Sequence, residues 1–309
     1  MRPAVFLFLF LSMLVPCHSF AGWTAHISRE APGHFFAEDK GRDLLHKMAG
    51  ASIVKAYPSI HGKVEGDKQV QGDLKTPEGI YFVTRKISQQ LDFMEYGPHA
   101  FALNYPNPVD RLRGKTGGGI WLHSKGRPIK EVQTRGCIAV GQEDITDLVP
   151  DLASGTPVLI AQSLAGAPFA REEAAPAGSS GEQKPAAEGG DGEKVLSLTR
   201  QWLERMEKKE EAVLSLYDAG QWKKANREEF SVFAAKKRTE LALGEALKGG
   251  DVRLLEGPGY WTAFFPLDSE GKGGTQQVSK VLYWLPDGRG SFLIIGEFDA
   301  RSVTDAEKR

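Results

Sequence analysis

The chain has 309 residues, 41% of them hydrophobic and 26% charged, an ordinary balance for a globular protein whose length suits two domains. A net charge of −1 excludes a long-range field that would draw in nucleic acid or an anionic membrane. The seven histidines form no His-x-x-x-His pair and no Cys/His cluster, so no metal or other cofactor is expected.

In chain order, Arg2 precedes the apolar run 4–15, which Pro16 and Ser19-Phe20-Ala21 follow. A basic start, about a dozen apolar residues and a small-x-small site describe a secretory signal peptide over 1–21. The run is shorter than the ~20 residues of a transmembrane helix, so no membrane span is expected after cleavage. A lipoprotein acylated at Cys17 is the weaker alternative, because Pro16 stands where a small residue belongs. Cleavage after Ala21 removes Cys17 and leaves Cys137 as the one thiol, which excludes an internal disulfide. A lone thiol in an oxidising compartment points to a working nucleophile.

Residues 22–50 read as a lead-in segment, with a short amphipathic helix over 43–48. From Ala51 the pattern turns to β-type runs at 52–57, 79–84, 101–105 and 119–123. Turn formers crowd residues 66–79 and predict a long loop or wide hairpin. A helical period over 142–152 puts Ile145, Leu148, Val149 and Leu152 on one face, and 156–160 closes the domain as a buried strand. The expectation is a β-rich domain over 51–162.

Inside that domain, Ile120-Trp121-Leu122-His123-Ser124 is followed by Thr134-Arg135-Gly136-Cys137-Ile138. A cysteine held beside a histidine is readily deprotonated, and the thiolate attacks carbonyl carbon. Gly136 leaves room for a substrate backbone, and the N–H groups of Gly136 and Cys137 could hold the resulting oxyanion.

Residues 163–194 are dominated by Ala, Gly, Ser, Pro, Glu and Lys and read as a disordered linker. The second unit, 195–309, opens with an amphipathic helix carrying Val195, Leu198, Trp202, Met206, Val213, Leu216 and Tyr217. A second helical stretch runs over 222–247. Strands are expected at 252–255, 260–265, 277–285 and 291–298, with a tight turn at Pro286-Asp287-Gly288. Helices followed by an antiparallel sheet predict an α+β unit.

Gly72-Asp73-x-x-Thr76-Pro77-x-Gly79-x-Tyr81, then Gly119-Ile120-Trp121-Leu122-His123-Ser124, then Thr134-x-Gly136-Cys137-Ile138 resembles the L,D-transpeptidase (YkuD-type) catalytic domain. The resemblance implies a mixed, β-rich, sandwich-like fold, a periplasmic or cell-envelope location and peptidoglycan stem peptides as substrate. It implies that Cys137 is the nucleophile, His123 its base and Ser124, through its carbonyl, the group that orients the imidazole. Gly136 belongs to the implied catalytic set, and Gly119, Trp121, Thr134 and Arg135 to the implied substrate-binding one. Many members carry an arginine where this chain has Ala139, so another cation must meet a substrate carboxylate. Arg135 is the nearest candidate, with Arg127 and Lys130 behind it. Both hydrolysis of the acyl-enzyme (L,D-carboxypeptidase) and transfer to an amine (L,D-transpeptidase) follow from one thioester. The alternative is an idle wall-binding or scaffold protein, supported only by the missing arginine.

The order of the second unit, with Trp202, Trp222, Trp261 and Trp284 as landmarks, is similar to the cone-shaped NTF2-like fold. A YkuD-type domain followed by such a module resembles the L,D-carboxypeptidases that set cell shape in helical and curved bacteria. Oligomeric state is not legible in the sequence.

Overall fold

Residues 43–48, which read as a helix, form a strand in the computed structural model, which describes residues 22–27, 31–129, 133–165, 190–243, 246–271 and 274–301. Leu45 faces one apolar cluster and Met48 another on the opposite side. A strand buried on both faces carries apolar residues without strict alternation, and its spacing then imitates a helix. Residues 22–50 are accordingly part of the first unit's framework. They supply β1 (Thr24–His26), β2 (Phe35–Asp39) and β3 (Leu44–Ala49).

The chain continues through β4 (Ser52–Ile60), β5 (Gly79–Lys86), α1 (Phe93–Tyr96), β6 (Ala100–Leu103) and α2 (Pro108–Leu112). Then come β7 (Trp121–Ser124), β8 (Ile138–Val140), α3 (Gln142–Leu148), β9 (Pro157–Ala161) and β10 (Ser163–Ala165). The β-rich fold is as expected, and its strands close into a barrel in the order β2-β3-β4-β8-β7-β6-β5-β9. Inward-facing Phe36, Tyr57, Tyr81, Leu122, Ile138, Val140 and Ile160 fill it, and Ile145 and Leu148 of α3 join the same cluster. Only β2–β9 and β7–β8 are parallel among the barrel's pairings.

Both ends of the stretch read as linker are ordered elements. β10 pairs in parallel with β1, and α4 (Asp191–Glu207) begins before residue 195. Residues 166–189 and the signal-like segment 1–21 lie outside the described residues.

The second unit is α+β. After α4 come a 3-10 turn (Glu211–Leu216), α5 (Trp222–Asn226) and α6 (Phe230–Leu243). Then follow β11 (Ala246–Gly249), β12 (Arg253–Gly257), β13 (Tyr260–Gly271), β14 (Gly274–Pro286) and β15 (Phe292–Arg301). Both expected long helices are broken by left-handed residues, at Lys209 (φ 59°) and Arg227 (φ 60°). The strands form one antiparallel sheet, with β11 and β12 both on β13. Trp202, Trp222 and Trp284 are sealed in its core and Trp261 packs at its margin.

This unit is fused to the barrel wall through a shared apolar cluster. Ile80, Phe82 and Val109 meet Tyr260, Val281, Tyr283 and Ile295 there. Ile80 N donates to Tyr260 Oη at 2.7 Å and Asn104 Nδ2 to Tyr283 Oη at 2.8 Å. No helix among the described residues is long and apolar enough to cross a membrane.

Candidate active site

The parallel register of β7 and β8 sets Leu122 beside Ile138 and His123 beside Ala139. Leu122 and Ile138 point into the barrel, so alternation turns Trp121, His123, Cys137 and Ala139 to its outer face. Two short strands thus bring the thiol and the imidazole to one surface. His123 Nδ1 lies 2.6 Å from the carbonyl oxygen of Ser124. A carbonyl only accepts, so Nδ1 carries the proton and Nε2 keeps its lone pair. The Ser124 side chain is buried without a partner.

Thr134 and Thr76 hold the nucleophile loop. Thr134 Oγ1 accepts from Gly136 N at 3.1 Å and donates to the Cys137 carbonyl at 2.6 Å. Thr76 Oγ1 accepts from Gly62 N at 2.8 Å and donates to the Gly136 carbonyl at 2.9 Å. Gly136 sits at φ 129°, and a Cβ there would come 2.7 Å from the Lys75 carbonyl oxygen. Its N–H is therefore taken, which corrects the expectation that it would meet an oxyanion. The role of Gly136 is conformational: only glycine fits that turn at that distance.

Burial decides the protonation state of the pair. His123 is 1% exposed, and burial lowers its pKa to about 4. Cys137 is half-buried, and burial pushes its thiol above the ordinary 9.0, against the pull of the Trp121 N–H and the Lys125 charge. Both groups are neutral at pH 7. Proximity to the histidine does not by itself ionise the cysteine, because an ion pair would be poorly solvated here. The thiol donates weakly to the Gly119 carbonyl at 3.5 Å.

Of the candidate cations, Arg135 and Arg127 are exposed, and Lys130 lies outside the described residues. Arg135 acts electrostatically on Tyr96, so it stands on the site's side of the barrel. Ala139 is fully buried. Sequence reasoning missed three residues around the pair. Lys125 is buried beside it, Glu95 binds that lysine, and the Tyr96 ring lies 5.2 Å from the rings of both Trp121 and His123. The only available signal was that Lys125 follows the His-Ser motif directly; α1 is four residues long and has no periodicity to detect.

A cavity of about 490 Å³, lined by Trp23, Glu65, Asp67, Lys75, Glu78 and Arg113 among others, is separate from the pair. Lys75 borders both, with its carbonyl against Gly136 and the residue itself in the cavity wall. Among the described residues no group of His, Cys, Asp and Glu is arranged to hold a metal ion.

Residues 39–160 match the family model of the L,D-transpeptidase catalytic domain, YkuD. The Escherichia coli (strain K12) protein named "Putative L,D-transpeptidase YafK" is 30% identical over 153 residues, covering 44% of this chain. The match spans 58% of that relative's length, less than two thirds. Among solved structures, Bd1075 of Bdellovibrio bacteriovorus superposes with a TM-score of 0.58 at 22% identity, over 90% of this chain and 95% of that one. The helical cell shape determining protein Pgp2 of Campylobacter jejuni gives 0.55 at 24%, over 90% and 93%. At these identities the likeness is one of fold, and it extends over both units.

Proposed function

We propose that this chain, whose residues 39–160 form an L,D-transpeptidase (YkuD-type) catalytic domain, is a peptidoglycan-modifying cysteine acyl-transfer enzyme of the cell envelope. Its reaction would cut the stem peptide between the third residue and the terminal D-Ala. The observation that carries this reading is the neutral imidazole with Nδ1 pinned to the Ser124 carbonyl, on the same face as the one described cysteine.

Attack by Cys137 Sγ on the carbonyl carbon of the third residue passes the thiol proton to His123 Nε2. The Cys137 N–H, on the turn that Thr134 and Thr76 fix, would be the backbone donor to the oxyanion. Collapse returns the proton from the imidazolium to the leaving D-Ala amine and leaves a thioester. Water then releases a tripeptide, or a side-chain amine takes the acyl group and forms a cross-link. Arg135, exposed on the site's side of the barrel, would meet the D-Ala carboxylate in place of the arginine that many family members carry where this chain has Ala139. The second unit would act as an NTF2-like module that presents substrate. The fold shared with Pgp2, a cell shape determining protein, supports a role in shaping the wall.

Muropeptide mass spectrometry tests this. Incubating disaccharide-tetrapeptide with the full chain and with Cys137→Ala should convert tetrapeptide to tripeptide in the first case only. Dimers joined between third residues would make the enzyme a transpeptidase. No conversion by either protein would refute the assignment.

A further inference from the structure

Lys125 follows β7 directly, and 1% of its side chain is exposed. Its ammonium lies 2.5 Å from Oε1 of Glu95 on α1, a carboxylate that is 43% exposed. A sealed ammonium persists only where a carboxylate stays against it, so this pair ties α1 to the end of β7. Close backbone packing supports the tie. Gly126 N donates to the Met94 carbonyl at 3.2 Å. A Cβ at Gly126 would fall 2.5 Å from the Phe93 carbonyl oxygen, and one at Gly97 would fall 2.0 Å from Ser124 Oγ. The next residue of α1 after Glu95 is Tyr96, whose ring leans on His123 and Trp121.

We propose that Lys125 is a positioning residue: clipped to Glu95, its ammonium holds α1 so that Tyr96 covers the His123 imidazole and keeps water from it. The clip acts through α1 on the proton acceptor, and the two charges of the clip act in opposite senses on the Cys137 thiol. It rests on the reading of His123 as the base. The groups facing His123 are Lys125 and Ser124 beside it on β7 and its extension, Glu95 and Tyr96 on α1, Trp121 two residues before it, and Cys137 on the same face beside β8. Of these, Lys125 disfavours the imidazolium and Glu95 favours it. That opposition gives the proposal a distinctive test.

The experiment compares the full chain with Glu95→Gln and Lys125→Met by NMR titration of the His123 ring, assigned by its loss in His123→Gln, and by kcat on disaccharide-tetrapeptide. Removing an anion alone would lower the His123 midpoint in Glu95→Gln. Loss of the cover admits water and raises it in both variants, from about 4 toward the ordinary 6.5. Turnover should fall about 10-fold or more in each, mainly in kcat, with little further loss in the double variant. A His123 midpoint that falls or stays in Glu95→Gln, or a kcat within twofold of the parent in both, overturns the proposal. Should Lys125→Met fail to fold, Glu95→Gln at the partly exposed position still decides the matter. Should the parent show no turnover of the muropeptide, the functional reading fails, while the titration still supports or overturns the clip.

Discussion

A neutral Cys137–His123 pair should be visible in how fast the thiol is alkylated as pH changes. Only the thiolate reacts at a useful rate. With the thiol above 9.0 and the imidazole near 4, neither group changes charge between about pH 5 and pH 8. At pH 7 fewer than about 1 in 100 molecules carry the thiolate, and that share rises about tenfold per pH unit. Iodoacetamide labelling of the Cys17→Ser chain, in which Cys137 is the one thiol, followed by intact mass at pH 5 to 9, should give a log-linear rise with unit slope and no plateau. A preformed thiolate–imidazolium pair would instead give a flat, fast rate across the same range. Substituting His123→Gln removes an uncharged neighbour, so the slope should survive. Muropeptide turnover should meanwhile fall about 10²- to 10⁴-fold, or roughly 3–5 kcal/mol of barrier, because the proton acceptor is gone. A rate flat within twofold from pH 5 to pH 8 refutes the neutral pair.

Other outcomes follow from the loop and from the second unit. Gly136→Ala should destabilise the fold by about 1–3 kcal/mol in urea and abolish turnover, since its φ and the Lys75 carbonyl both exclude a Cβ. Parent-like stability there would contradict the geometry. Thr134→Val strands the Gly136 N–H and the Cys137 carbonyl and should cost about 1–3 kcal/mol for each group left unpaired, whereas Thr134→Ser should recover most of it; equal losses in the two variants would show that the hydroxyl does not hold the turn. Burial pushes the Glu297 carboxyl up, but Lys237 and Lys280 outweigh it and bring it to about 2 against 4.5 unfolded. A carboxyl depressed in the folded state stabilises above the unfolded value, here by about 3 kcal/mol, and that contribution is lost as pH falls through 4.5 toward 2. The stability gap between the parent and Glu297→Gln should therefore shrink over that window, and a gap constant from pH 7 to pH 2 would rule the linkage out.

Much of the framework was readable because its signals are local. The runs around 52–57, 79–84 and 277–285 alternate or carry β-branched and aromatic residues, and each is a strand. Residues 43–48 misled because their apolar positions serve two clusters on opposite faces, which the sequence alone cannot separate. The long helices were overextended because Lys209 and Arg227 adopt left-handed φ without being glycine or asparagine. The start of the strand Ala246–Gly249 was read as the end of the helix over 222–247, because Leu247 is its only large apolar residue and its place comes from pairing with β13.

The site divides along the same line. Cys137 and His123 stand out in the sequence because their residue types and flanking glycines announce reactive chemistry over a few positions. Their protonation state does not, because it depends on which segments keep water away. Those segments come from elsewhere: α1 is about 30 residues upstream of His123, and Thr76 holds the Gly136 carbonyl across 60. A thiol beside a histidine in water and the same two groups under α1 differ in where the proton rests before substrate arrives. On the proposed mechanism the proton of the covered pair would move only as the sulfur attacks, so the imidazole would have to be placed and kept dry in advance. That requirement would give a physical reason for the lysine–glutamate pair at 125 and 95, where two well-packed apolar side chains would cost less to stability.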